Sequence, residues 1–177
     1  MVNYLEYDKG EFTDVYPAAN YPGPLSYSGQ PDILYRSNGD GTFKDVTKEA
    51  GVFNQNGRAM SATSADLNND GYPEVVYNAM FDIANTDPPR YRGEIWLAVN
   101  PGPGNWDEPW PMVVIDDDNW AAADMWFHDF NNDGFKDLIA NQIFNSTVTR
   151  YWNPGADLTA AWQPEIIISG LASPSDM

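Results

Sequence analysis

The sequence predicts an all-β fold built from a repeated unit, and three observations predict it. Helical periodicity is almost absent, while short runs rich in Val, Ile, Tyr and Trp are bounded by Asn, Asp, Gly and Pro, with Gly and Pro supplying 14 residues each. The stretch Asp66-Leu-Asn-Asn-Asp-Gly-Tyr-Pro-Glu74 returns 63 residues later as Asp129-Phe-Asn-Asn-Asp-Gly-Phe-Lys-Asp137. A second landmark follows each copy: Val99-Asn-Pro-Gly102 in one and Trp152-Asn-Pro-Gly155 in the other, then a Trp, a Pro and an apolar run.

The elements follow from these landmarks. Residues 1–31 carry no repeat signature and stand as an N-terminal extension of unclear structure. The run 32–36 has strand composition and leads into Ser37-Asn-Gly-Asp-Gly41, which occupies the position of the two Asn-Pro-Gly turns, so 32–60 is the tail of a first unit. Residues 44–51 have the composition of one short helical turn. The second unit, 61–121, holds expected strands at 61–66, 74–78, 94–99 and 112–115. The third, 122–177, holds them at 124–129, 137–141, 147–152 and 165–169. Each full unit is then loop, strand, strand, turn, strand, with one more strand leading to the next loop, which is the four-stranded pattern of a propeller blade.

About three blades are visible, whereas propellers close with roughly 4 to 8. The expected fold is therefore a partial or assembled β-propeller of about three four-stranded blades with calcium loops. Its open sheet edges and apolar end face need cover from residues 1–30, from further sequence or from neighbouring copies. The residues after Gly170 read as a connection toward something further along.

Composition narrows the function. With 42% hydrophobic and 14% aromatic residues, the 177-residue chain has the material for a real core. The 26 acidic against 9 basic residues, a formal charge of -17, argue against nucleic acid as a partner and for cations. The absence of cysteine removes disulfide frameworks and thiolate metal sites. No apolar run is long enough to span a membrane. The opening Met-Val-Asn-Tyr-Leu-Glu-Tyr-Asp lacks the basic and apolar regions of a signal peptide, as expected for a mature chain, a fragment or a cytosolic protein.

The repeated loop has the chemistry of a hard-cation site. Ca²⁺ needs six to eight oxygens, and a short loop supplies them by alternating carboxylates and amides and turning sharply at a glycine. In the first loop Asp66, Asn68 and Asp70 are the expected side-chain ligands, Gly71 the turn, the Tyr72 carbonyl a backbone ligand and Glu74 the closing acid. In the second, the same roles fall to Asp129, Asn131, Asp133, Gly134, the Phe135 carbonyl and Asp137. An EF-hand opens in the same way but closes with an acid at position twelve and runs into a helix. Position twelve is here Tyr77 or Ala140, and strand residues follow. That Asn-Asp-Gly is only a tight turn is the competing explanation; it weakens when two loops share five identical positions.

These loops, with Asn38-Gly-Asp-Gly-Thr-Phe-Lys-Asp-Val-Thr47 and the Trp-Asn-Pro-Gly turn, resemble the FG-GAP or VCBS repeat family, also seen in integrin α-subunit propellers. The resemblance runs over about 32–170. It implies a β-propeller, normally seven-bladed, with calcium in loops between outer strands and an extracellular or cell-surface setting. The chain departs from the pattern at Asn68 and Asn131, where Asp is commoner, a change that lowers the expected affinity. It also holds fewer units than a full propeller.

Other residues carry less. His128, the only histidine, lies in a strand whose alternation points it away from the adjacent loop ligand. Nucleophilic triads have no support without Cys, a second His or a Gly-x-Ser-x-Gly elbow. Asp116-Asp-Asp118 and Asp107-Glu108 lie near Trp106, Trp110 and Trp120, which keeps a glycoside-active enzyme and lectin-like carbohydrate binding as alternatives. Asn145-Ser-Thr147 is a glycosylation sequon. The expected function is a non-catalytic, extracellular or cell-surface protein binding Ca²⁺ at two sites and serving adhesion or structural assembly. A subunit of a self-assembling filament or ring is the alternative, with other chains or further copies pairing at the open edges and glycans as further candidate partners.

Overall fold

The computed structural model describes residues 29–53, 59–83, 90–119, 122–142 and 145–170. Most of the N-terminal extension, Trp120 and the residues after Gly170 lie outside these. Among the described residues ten strands form three antiparallel sheets and there is no helix.

The first sheet pairs β1 (Tyr35–Ser37) with β2 (Phe43–Asp45). The second is a meander of β3 (Ala62–Ala65), β4 (Glu74–Ile83), β5 (Arg90–Ala98) and β6 (Met112–Asn119). The third repeats it with β7 (Ala122–His128), β8 (Asp137–Gln142), β9 (Thr147–Trp152) and β10 (Gln163–Ser169). Register repeats as well: Val75 lies opposite Ala98, and Leu138, its counterpart, lies opposite Tyr151. Among the described residues no sheet closes into a barrel.

Eight of the nine expected strands are present near their expected bounds, with β4, β5 and β6 extended most, whereas the first, expected over 32–36, forms only at Tyr35–Ser37. The tenth, β2, falls where a helical turn was expected over 44–51. The chain does both in sequence. After Asp45 the Ala50 N–H donates to the Val46 carbonyl at 2.8 Å and the Val52 N–H to that of Thr47 at 3.2 Å, a single turn that does not continue.

Strand alternation decides what each face meets. On the β3–β6 sheet, Tyr77 and Ala98 pack with Trp110, Ala50, Val52 and Leu34, so this face is covered by the β1–β2 segment and the turn after it. The intervening residues Val76, Ile95 and Leu97, all with zero exposure, pack on Met125, Leu138, Ala140 and Tyr151 of the β7–β10 sheet. The sheets thus stack in chain order, and the middle one is buried on both faces. The far side of the last sheet is not: Trp126 is exposed, as are Phe130 in the loop after β7 and Ile166 to Ile168 on the edge strand β10, Ile166 to 64%.

Candidate metal centre

The two loops link equivalent strands, β3 to β4 and β7 to β8, and fold alike because their sequences force it. Asn69 and Asn132 both take positive φ, 63° and 58°, a region Asn tolerates. Gly71 and Gly134 follow at 90° and 91°, where an L side chain is strained even though no atom stands within 4 Å of where its Cβ would project. Gly71→Ala is expected to lower stability by about 1–2 kcal/mol from backbone strain alone, read as a shift in the denaturant midpoint at constant slope.

Each loop wraps its polar side chains onto its own backbone. In the first, Gly71 N–H donates to Asp66 Oδ2 at 3.0 Å, Asp70 N–H to Asn68 Oδ1 at 3.1 Å and Tyr72 N–H to Asp70 Oδ1 at 2.8 Å. The second repeats this with Gly134 to Asp129 Oδ2 at 2.9 Å, Asp133 to Asn131 Oδ1 at 3.1 Å and Phe135 to Asp133 Oδ1 at 2.8 Å. The closing acids reach back to the start of their loops: Leu67 N–H donates to Glu74 Oε2 at 2.8 Å, and Phe130 N–H to Asp137 Oδ2 at 3.1 Å. The expected side-chain ligands of each loop thus join a matching hydrogen-bonded ring with the loop's own backbone. Among the described residues no three acidic or His side chains converge tightly enough to form a ready cluster, since the carboxylates are turned onto backbone donors instead.

The first ring is incompletely satisfied. Glu74 is the first residue of β4 and has zero exposure, and its Oε1, with Asp66 Oδ1, is buried without a hydrogen-bond partner. Burial pushes the Glu74 carboxyl up to about 7, with the nearby Asp70 and Asp66 charges adding to the rise and the Leu67 N–H opposing it. Among the described residues no Lys or Arg forms an ion pair with any loop carboxylate. Buried anionic oxygens without donors are the feature a bound hard cation would compensate, and the donors offered are all oxygens, so the residues fit Ca²⁺.

Around the loops lies a supporting shell that the sequence did not assign to them. The Asn-Pro-Gly turns fold back so that Asn100 Nδ2 donates to the Pro73 carbonyl at 3.1 Å and Asn153 Nδ2 to that of Lys136 at 2.9 Å. A Cβ at Gly102 or Gly155 would meet the Tyr72 ring at 3.6 Å or the Phe135 ring at 3.8 Å. The recurrence of Asn and Gly at a fixed place after each loop was the available signal. Two bonds also tie the loops to each other, Asn69 Nδ2 to the Gly134 carbonyl at 3.1 Å and Lys136 Nζ to that of Asp66 at 3.2 Å, and a third ties the second Asn-Pro-Gly turn to the first loop, Asn153 Nδ2 to the Leu67 carbonyl at 2.9 Å.

The remaining candidates have structural neighbours. His128 is exposed and stands edge-on to Phe130 at 4.8 Å. Trp110 is buried, and Trp106 donates its indole N–H to Asn100 Oδ1 at 3.2 Å beneath the Arg36 guanidinium. Asp107 takes Lys44 at 2.8 Å, and Asp116 accepts the Tyr151 hydroxyl. Asn145 is exposed and donates from Nδ2 to Gln142 Oε1 at 3.0 Å.

Comparison with known families bears on the first loop directly. Residues 13–77 match the model of an FG-GAP-like repeat. That FG-GAP-like segment takes in β1, β2, β3 and the whole 66–74 loop and ends inside β4; it begins within 1–31, earlier than the landmarks alone placed the pattern. No curated protein and no solved structure matches the chain.

Proposed function

We propose that this chain is a non-catalytic calcium-binding repeat protein of β-propeller type, working outside the cell in adhesion or structural assembly. The observation that carries the reading is the pair of buried, donorless oxygens, Asp66 Oδ1 and Glu74 Oε1, in a loop inside the FG-GAP-like match. Asp66, Asn68, Asp70, Glu74 and the Tyr72 carbonyl would hold one ion, and Asp129, Asn131, Asp133, Asp137 and the Phe135 carbonyl another. The ion supplies positive charge to groups that otherwise repel, and fixes each loop against the strands it joins. An Asn in place of a third opening carboxylate suits the weak affinities, about 10⁻⁴–10⁻³ M, of extracellular modules. The two four-stranded meanders stacked face to face support the blade assignment.

Because a cation that binds only the folded chain stabilises it by about 2.7 kcal/mol at roughly 100 times its Kd, saturating Ca²⁺ should raise the melting temperature by about 5–10 °C over chelator. Unchanged melting together with no bound metal by mass spectrometry would sink the proposal.

The outer face of the β7–β10 sheet favours assembly as the use of this scaffold. Leu67 and Leu97 of the middle sheet are buried under the last one, and their counterparts by repeat alignment are Phe130, exposed, and Arg150. Arg150 lies 3.8 Å above the Trp152 ring, near Phe130, and pairs with Glu165 at 2.7 Å. This face is suited to a further sheet of the same kind, in the same polypeptide or another copy. Sedimentation of the purified chain should show concentration-dependent association that Trp126→Ser with Phe130→Ser abolishes; a monomer at all concentrations argues against assembly between copies.

A further inference from the structure

We infer that the two loops are unequal ion sites: 66–74 captures the cation, whereas 129–137 is held closed by the protein's own hydrogen bonds and binds at least about tenfold more weakly, affinity being set by ligand charge and site rigidity. The inference rests on the reading that these loops bind Ca²⁺ at all.

The loops share a backbone conformation, so the difference lies in side chains. In the second, every oxygen of the opening and closing acids has a protein donor. Asp129 Oδ2 accepts Gly134 N–H at 2.9 Å and Oδ1 accepts Asp133 N–H at 3.2 Å, while Asp137 Oδ2 accepts Phe130 N–H at 3.1 Å and Oδ1 accepts Asn153 N–H at 2.9 Å. In the first, the corresponding four oxygens have two donors, Gly71 N–H at 3.0 Å and Leu67 N–H at 2.8 Å, leaving Asp66 Oδ1 and Glu74 Oε1 buried and unpartnered. The extra methylene of Glu74 is the covalent difference between the closing acids. A cation entering the first loop meets oxygens with nothing to give up; in the second it must share or displace hydrogen bonds already made.

The bonds between the loops do not separate the two sites, since Asn69 to the Gly134 carbonyl at 3.1 Å and Lys136 Nζ to the Asp66 carbonyl at 3.2 Å each hold one residue of either loop. The inequality rests on the acid oxygens alone.

The test is a Ca²⁺ titration of the ion-free, full-length chain followed by calorimetry and by ¹H–¹⁵N spectra. The Gly71 and Gly134 amides each donate to the opening Asp of their own loop and so report on it separately. The expected result is a Gly71 midpoint at least tenfold lower in Ca²⁺ than that of Gly134, with Asp66→Asn removing the tight calorimetric phase and Asp129→Asn leaving it. The spectra use the unmutated chain and hold whether or not the variants fold. Coincident midpoints, or Gly134 responding first, overturn the inequality while leaving Ca²⁺ binding intact. A silent calorimeter with neither amide moving at millimolar Ca²⁺ overturns the underlying reading and the inequality with it.

Discussion

Glu74→Gln should stabilise the ion-free protein at pH 8 and destabilise it relative to the parent once Ca²⁺ is present. The parent carries a buried carboxyl raised from 4.5 to about 7. An acid raised in the fold keeps its proton there while the unfolded chain has already lost it. The folded state therefore binds more protons between pH 4.5 and 7, and stability falls as pH rises through that window. Below it no penalty exists; above it the whole penalty is present, about 3 kcal/mol from the size of the shift. The substituted amide removes the charge and keeps an oxygen for the Leu67 N–H, so in chelator at pH 8 the variant should be more stable by about 2–3 kcal/mol, a melting-temperature gain of roughly 4–12 °C. Towards pH 4 the two should converge. With saturating Ca²⁺ the order inverts, because the ion compensates the carboxylate and the amide is a poorer ligand. Parallel melting curves for parent and variant across pH 4–8 in chelator would show that Glu74 is not a charge held under strain.

Much of the architecture was legible because the repeat is written in residues that backbone geometry demands. Asn69 and Gly71 recur as Asn132 and Gly134 since both pairs adopt positive φ, and the strands between landmarks stand out as short apolar runs because the stacked sheets bury them. The short strand β2 was not legible. Its Phe43 is 65% exposed and its Asp45 already turns the chain by accepting the Thr47 N–H at 3.0 Å, so three residues carry no burial pattern. At the site, spacing located the loop carboxylates and put Glu74 at the start of a strand, as β4 has it, but it could not give the zero exposure of that carboxyl. Nor could spacing reveal that Asn153, 86 residues beyond Leu67, bonds to it, because that contact exists only once the sheets have stacked.

Asp137→Ala should be the most damaging loop substitution, and most of its effect should already be present without Ca²⁺. The Asp137 carboxylate has zero exposure and receives the Phe130 N–H on one oxygen and the Asn153 N–H on the other. Truncation leaves both backbone donors without their acceptor. The Asn153 N–H is buried, and the same residue joins two other carbonyls, those of Leu67 and Lys136, through Nδ2. Releasing it loosens the Asn-Pro-Gly turn and the contact to the neighbouring sheet together. An unmade hydrogen bond to a buried group costs about 1–3 kcal/mol and more where the lost partner is charged, so the expected loss is about 3–5 kcal/mol already in chelator. Asp137→Asn, which keeps one acceptor oxygen, should recover part of this. The contrast with the first loop is what the measurement decides. Asp66→Ala removes a donorless oxygen along with the acceptor for the exposed Gly71 N–H, so its cost should be small in chelator and large only in Ca²⁺. If Asp137→Ala instead loses stability only when Ca²⁺ is present, Asp137 acts as an ion ligand and not as a backbone clamp.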